Sequence, residues 1–268
     1  MAYAWADSWQ SALSTVRRVV RSAGRYAIAL TLLGLAACGN PSTEDVASSQ
    51  VVEPTEEASP EAAPTEEEVA AMRAEWEARM AKVQSVVDET PRDELIASSA
   101  TKGPRDAKVM VLKFSDFQCP YCAVAAASMK TFAEAHDEDV LYVYKQLPLV
   151  SIHPEAEPAA KASWAAGQQG QFWLYHDGLF AFQDRLGEDY YVELAEQIGL
   201  DIEKFNQDRN SPEAEAAINQ DIQLAKALEI RGTPNFLVTN TDQSFLFPGN
   251  TPLEVFEEAT DRLSTTAP

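Results

Sequence analysis

Two cysteines separated by two residues, Cys119 and Cys122 in the run "DFQCPYC", are the side chains of this 268-residue chain whose type and spacing most directly permit chemistry. The only other cysteine is Cys38. A C-x-x-C pair can hold a metal, form a structural bridge or exchange disulfides. Half a zinc site needs a second such pair or paired histidines, and His136, His153 and His176 are scattered, so no metal and no other cofactor is expected. A bridge across four residues closes a loop too small to add much stability. Disulfide exchange leads: one thiolate attacks, and the second cysteine resolves the mixed disulfide or closes the internal bond. A non-enzymatic carrier of copper or another metal on two thiolates is the alternative from a different class.

Exchange of this kind needs the first thiolate stabilised and the second within reach, which a helix N-terminus provides through its unpaired N–H groups and dipole. "AKVMVLKFSDF" reads as a strand, Pro120 to about Ala135 as a helix with Pro120 in its first turn, and "DVLYVYKQLPL" as a second strand. That unit predicts a parallel pair with CPYC where the first strand hands over to the helix. Cys122, one turn on, lies on the same helix face as Cys119, and Pro120 and Tyr121 between them are candidates for redox tuning. A long helical block follows His153-Pro154, with Asp201 and Ser211 as caps. Strand character resumes at "TPNFLVTN", turns at Asn240 to Gln243, pairs back through "SFLFPG" and ends in the helix "TPLEVFEEATDRLS". In "RGTPNFLV", Pro234 directly precedes an apolar strand, where a cis bond would turn the chain and free the backbone of Thr233 for other pairing.

The N-terminal third supplies location. Arg17, Arg18, Arg21 and Arg25 precede "YAIALTLLGLAAC", a basic region and then an apolar run too brief to span a membrane comfortably, as in a secretory signal. Leu35-Ala36-Ala37-Cys38 is similar to a bacterial lipobox, which makes residues 1–37 a lipoprotein signal peptide and Cys38 the lipid-bearing residue. Gly39, and not Asp, after that cysteine points to the outer membrane under the sorting rule of some Gram-negative bacteria. From Gly39 to Thr65 the chain is rich in Pro, Glu, Ala and Ser with no basic or aromatic residue, so 38–65 is expected to be a disordered acidic tether. Residues 66–90 carry Val69, Met72, Trp76, Met80, Val83 and Val87 at spacings of three and four, an amphipathic helix. Two readings stay open for it: docking on the main domain, or homo-oligomerisation. The formal charge of −21 becomes −24 once four Arg and Asp7 leave with the signal, which argues against nucleic acid as a partner.

Taken together, "GPRDAKVMVLKFSDFQCPYC", "LPLVSIHPEAEPAAKASWAAGQQGQFWLYHDGLF" and "EIRGTPNFLV" resemble, in the right order, the DsbA-like thiol-disulfide oxidoreductases of the thioredoxin-fold superfamily. The resemblance implies an α/β thioredoxin fold over 91–268 with an inserted helical subdomain at about 150–229. It implies that Cys119 attacks, Cys122 resolves, Pro234 is the cis-proline beside them, and Thr233 docks the substrate peptide. It further implies envelope proteins with free cysteines as substrates, periplasmic exposure, and a membrane redox partner, either a quinone-linked oxidase or an electron donor. The leading expectation is a disulfide oxidase, with isomerase or reductase as the alternative. One position departs from the family: a buried acid six residues before the first cysteine is replaced by Lys113. An ammonium there would favour thiolate at Cys122 if it points under the helix, whereas a strand-end lysine would snorkel to solvent. Asp116 reads as a loop residue or cap, His153 as a packing residue, and Trp164, Phe172, Trp173, Tyr175 and Phe180 as the core of the helical block.

Overall fold

The computed structural model describes residues 64–249 and 251–265. The signal segment 1–37, Cys38 and nearly all of the tether lie outside the described residues. Two helices, α1 (Glu66–Glu89) and α2 (Arg92–Ile96), precede the short strand β1 (Thr101–Lys102). β2 (Val109–Ser115), α3 (Pro120–Ala135) and β3 (Val140–Gln146) follow as the expected strand–helix–strand unit. Five helices then run in succession: α4 (Ala156–Gly167), α5 (Phe172–Ala181), α6 (Glu188–Gln197), α7 (Ile202–Arg209) and α8 (Pro212–Ala227). The hairpin β4 (Asn235–Thr239) and β5 (Ser244–Pro248) and the final helix α9 (Leu253–Thr265) complete the chain. The sheet order is β1-β3-β2-β4-β5, with β2 and β3 parallel and β4 antiparallel to both its neighbours.

Every residue of β2 and β3 is buried, which is why both read as nearly continuous apolar runs. Register then sorts them by face: Lys113 lies opposite Tyr144, Phe114 opposite Lys145 and Ser115 opposite Gln146. Met110, Leu112, Phe114, Leu141, Val143 and Leu237 belong to one apolar core with Val83, Val87, Leu95 and Ile96 from α1 and α2. Each such side chain contributes about 1.5–3 kcal/mol by leaving water. Lys113, Ser115, Tyr142, Tyr144 and Gln146 alternate onto the other face. Gly103 sits where β1 meets β3 with φ +84°, and a Cβ there would lie 2.0 Å from the Val140 carbonyl oxygen.

Local chemistry explains the helix ends. Thr65 and Glu68 form a reciprocal capping box at α1, and Pro91 ends it. The C-terminal half of α1 buries Val83 and Val87, while Val69 and Met72 in its first half stay exposed. Asp201 accepts from Lys204 N and Ser211 from Ala214 N, as caps of α7 and α8. The expected aromatic core of the helical block is shared with the sheet: Phe172 and Tyr175 pack with Phe117 and Tyr144, and Trp173 and Phe180 border them. Trp164 instead lines a cavity with both polar and apolar walls, among them Gln146, Gln168, Phe172 and Ile218.

Candidate active site

Cys119 is the N-cap residue of α3 and Pro120 its first helical residue. The Cys119 carbonyl accepts from Cys122 N at 3.1 Å and Ala123 N at 3.3 Å, so its sulfur is left beside the unpaired N–H groups of the first turn. Both cysteines are free thiols, Cys119 at 4% and Cys122 at 0% exposure. Their environments drive them apart. The Cys122 thiol hydrogen-bonds to Cys119 and lowers its pKa to about 5; burial opposes this, and Thr233 and the N–H groups of Cys122 and Tyr121 assist. Cys122 is pushed well above the ordinary thiol range, first by burial and then by its bond to Cys119. The first proton therefore leaves Cys119, and the charge rests on the less buried of the two sulfurs.

Thr233–Pro234 is a cis peptide, and the Thr233 carbonyl oxygen lies 3.5 Å from Cys119 Sγ. Gly249 makes room for the proline: a Cβ there would sit 2.3 Å from Pro234 Cγ. Pro120 and Tyr121 stand at the surface, Tyr121 75% exposed.

Lys113 does not snorkel; it is fully buried in the middle of β2. Its Nζ donates to the Cys122 carbonyl oxygen at 3.4 Å and lies 5.1 Å from the Phe180 ring centre and 5.7 Å from that of Tyr144. Burial lowers its pKa to about 8, while charge on Cys122 and Cys119 works to raise it. In the dithiol, burial holds the Cys122 thiol high, while the Lys113 ammonium, whose Nζ engages the Cys122 carbonyl, and a charge on Cys122 favour one another.

Five residues hold this loop, Asp116, His153, Gln183, Ser115 and Gln118, and sequence reasoning passed over the last three. Asp116 is buried and is a loop residue, not the cap of α3; its Oδ1 accepts from Gln118 N at 2.7 Å, and its Oδ2 accepts from Leu149 N at 2.9 Å and meets His153 Nδ1 at 2.8 Å. His153 is thus joined to the cysteine loop in addition to packing. Gln183 Nε2 donates to the carbonyls of Phe117 and Cys119, at 2.7 and 3.0 Å. Ser115 has a buried hydroxyl beside Cys122. Gln118 fixes the start of the next segment through Glu155 N. Among the described residues, no cluster of three or more His, Cys, Asp or Glu is arranged to hold a metal.

The sequence matches the DSBA-like thioredoxin domain over residues 110–261, more than half of the chain. A solved thioredoxin-like oxidoreductase from Silicibacter pomeroyi DSS-3 is 32% identical, aligns over 66% of this chain and 100% of its own, and superposes with a TM-score of 0.60. The thiol-disulfide exchange protein α-DsbA2 of Wolbachia pipientis, 20% identical over 71% of this chain and 98% of its own, shares the fold with a TM-score of 0.62. Among curated proteins, the Na(+)/H(+) antiporter NhaA 3 of Salinispora tropica is 38% identical over 137 residues, 51% of this chain and 21% of the antiporter. The NhaA of Herminiimonas arsenicoxydans is 35% identical over 63% of this chain and 26% of its own length. The chain thus spans about a fifth to a quarter of these curated relatives. Among its described residues, no helix is long and apolar enough to cross a membrane.

Proposed function

The chain belongs to the DsbA-like thioredoxin-domain family of thiol-disulfide oxidoreductases, and from that premise we propose that it introduces disulfides into extracytoplasmic proteins. The observation that carries this reading is the opposed ionisation of the pair, with Cys119 low and Cys122 high. A stabilised Cys119 thiolate favours the reduced enzyme, which makes its disulfide oxidising. A substrate thiolate attacks Cys119 Sγ, forming a mixed disulfide and releasing Cys122; a second substrate thiolate then attacks the substrate sulfur and releases Cys119 as thiolate. The substrate is oxidised and the enzyme leaves as the dithiol, to be reoxidised by a membrane redox partner.

Support for an unfolded, cysteine-containing substrate comes from exposed apolar side chains on the segments tied to the loop: Tyr121, Val124, Val150, Ile152 and Phe182. The Thr233 backbone beside Cys119 suits strand-like docking of a peptide. A groove of about 210 Å³ lined by Val124, Met129, Phe236, Pro252 and Phe256 suits the redox partner. Lipid attachment at Cys38, with the enzyme held at the outer membrane and facing the periplasm, belongs to the same proposal. Fatty-acid labelling should mark the wild type and fail on Cys38→Ala. Homo-oligomerisation would use Val69 and Met72 of α1, and Met72→Glu should then lower the mass measured by light scattering.

The central test is a trapping pair. Cys119→Ser should abolish oxidation of a dithiol peptide, and Cys122→Ser should accumulate mixed disulfides. Trapping by the first variant alone would reverse the roles. Equilibration of the wild type with glutathione decides direction: a potential as low as that of thioredoxin, ~−270 mV, would make it a reductase.

A further inference from the structure

Cys122 must gain or lose a proton in a place that water does not reach. When a substrate thiolate attacks Cys119 of the disulfide, the Cys119–Cys122 bond breaks and its electron pair leaves on Cys122. That thiolate is wholly buried and takes up one proton; in the reverse direction the proton departs before Cys122 attacks. The Asp116 carboxylate is committed to Gln118, Leu149 and His153, and only its backbone N–H points at Cys122 Sγ, at 3.5 Å. Lys113 Nζ is held by the Cys122 carbonyl.

Behind the sulfur lies a line of polar atoms with another outlet. Ser115 Oγ, the Tyr144 hydroxyl and Gln146 Oε1 are all buried and have no hydrogen-bond partner. Register places them together, since Ser115 lies opposite Gln146 and Tyr144 is two residues away on the same face. The Ser115 hydroxyl is near enough to the Cys122 thiol and the Tyr144 phenol to lower the pKa of each. Tyr144 and Gln146 in turn line a cavity of about 290 Å³, together with Ser98, Thr101, Trp164 and Asp221. Trp164 Nε1 is a third unpartnered polar atom at that cavity, beside those of Tyr144 and Gln146. A polar space of this size holds several waters, each needing such partners.

The geometry points to a hydroxyl relay in which Ser115 and Tyr144 carry the Cys122 proton to and from this cavity. It rests on the exchange chemistry proposed above. Ser115 gives its proton to the Cys122 thiolate and takes one from Tyr144, which is reprotonated from the cavity side. One proton enters, both hydroxyls are restored, and no oxidant beyond the enzyme's disulfide is needed. The charged and titratable groups facing the relay, besides Cys122 itself, are Lys113 from β2, Asp116 from the cysteine loop, Tyr142 from β3, His176 from α5 and Asp221 from α8. His176 is held neutral by burial, which lowers its pKa to about 4.

The test follows oxidation of a dithiol peptide and resolution of a mixed disulfide across pH, in wild type, Ser115→Ala, Ser115→Thr, Tyr144→Phe and Ala217→Phe. Ala217 lines the cavity without contributing a hydroxyl to the relay. Removing either hydroxyl should slow both Cys122-dependent steps about tenfold or more, within the range of positioned proton transfer, and move the pH profile of resolution upward. Ser115→Thr should recover most of the rate, and Ala217→Phe, which narrows the outlet, should slow the same steps. Alkylation of Cys119 and its pH midpoint should stay at wild-type values in all four. Wild-type profiles in Tyr144→Phe and Ser115→Ala would overturn the relay, and so would a slow Tyr144→Phe beside an unaffected Ala217→Phe, since the proton would then leave elsewhere. A wild type that exchanges no disulfides would overturn the proposed function instead.

Discussion

Two lysines on adjacent strands, Lys113 of β2 and Lys145 of β3, are both at most 1% exposed, yet they are treated in opposite ways. Register turns them to opposite faces of the sheet. Lys145 Nζ lies 2.8 Å from Asp221 Oδ1 and 3.2 Å from the Ile96 carbonyl oxygen, and Asp221 Oδ2 also accepts from Gln146 N at 2.8 Å. Lys113 has a carbonyl and two aromatic rings for company. The groups that raise its pKa are led by Cys122 and Cys119. A paired buried charge belongs to the scaffold and fixes how α8 meets β3. A buried charge whose counter-charge appears on sulfur during turnover is coupled to the redox state.

Breaking the paired side should give the largest effect. Asp221→Asn leaves Lys145 buried without its carboxylate and should cost about 3–5 kcal/mol in urea unfolding. Replacing both, Lys145→Met with Asp221→Leu, should return stability to within about 1 kcal/mol of wild type, because apolar packing then substitutes for the pair. A double variant as unstable as the single would mean that the ion pair itself, and not the relief of an orphaned charge, holds this region.

The unpaired side has a pH signature. The folded-state pKa of Lys113 is about 8, below its ordinary value of 10.5, so between those pH values the unfolded chain binds more protons. Stability of the protein therefore rises with pH across that window on account of this group, by up to ~3 kcal/mol. Lys113→Met should lack the rise and be the more stable protein at neutral pH. Denaturant midpoints for the two proteins at several pH values check this; parallel curves would mean that Lys113 is not desolvated.

How much of this was legible before the structure depends on sequence distance. CPYC at a helix start, the parallel pair, the proline before β4 and the hairpin turn at Asn240 all rest on one element or on elements that follow one another in the chain, and the chain's pattern shows them. Asp116 and His153 were read only as a loop residue or cap and a packing residue, and Gln183 was passed over, because their partners lie tens of residues away: 37 between Asp116 and His153, and 64 between Gln183 and Cys119. Ser115 and Tyr144 were invisible for another reason. A hydroxyl in an apolar strand signals nothing until register puts it beside a sulfur. Lys113 stood out as a departure from its family, but strand alternation alone could not tell a buried site from a solvent-facing one, since helices cover both faces of β2.

The smallest effect separates two sources of Cys119 acidity. The hydrogen bond from Cys122 heads the causes that lower its pKa to about 5, and Lys113 acts through space on a sulfur to which it makes no bond. Screened attraction of that kind falls with distance and with the effective dielectric of the site. Lys113→Met should therefore raise the Cys119 midpoint, read from thiolate absorbance, by less than about one pH unit. Cys122→Ala, which removes the hydrogen-bonded partner, should raise it further. Since a less stable thiolate makes a weaker oxidant, Lys113→Met should also lower the reduction potential slightly. A larger shift from Lys113→Met than from Cys122→Ala would make the ammonium the main source of that acidity. No shift at all would remove Lys113 from the chemistry and leave it a buried lysine held by one carbonyl.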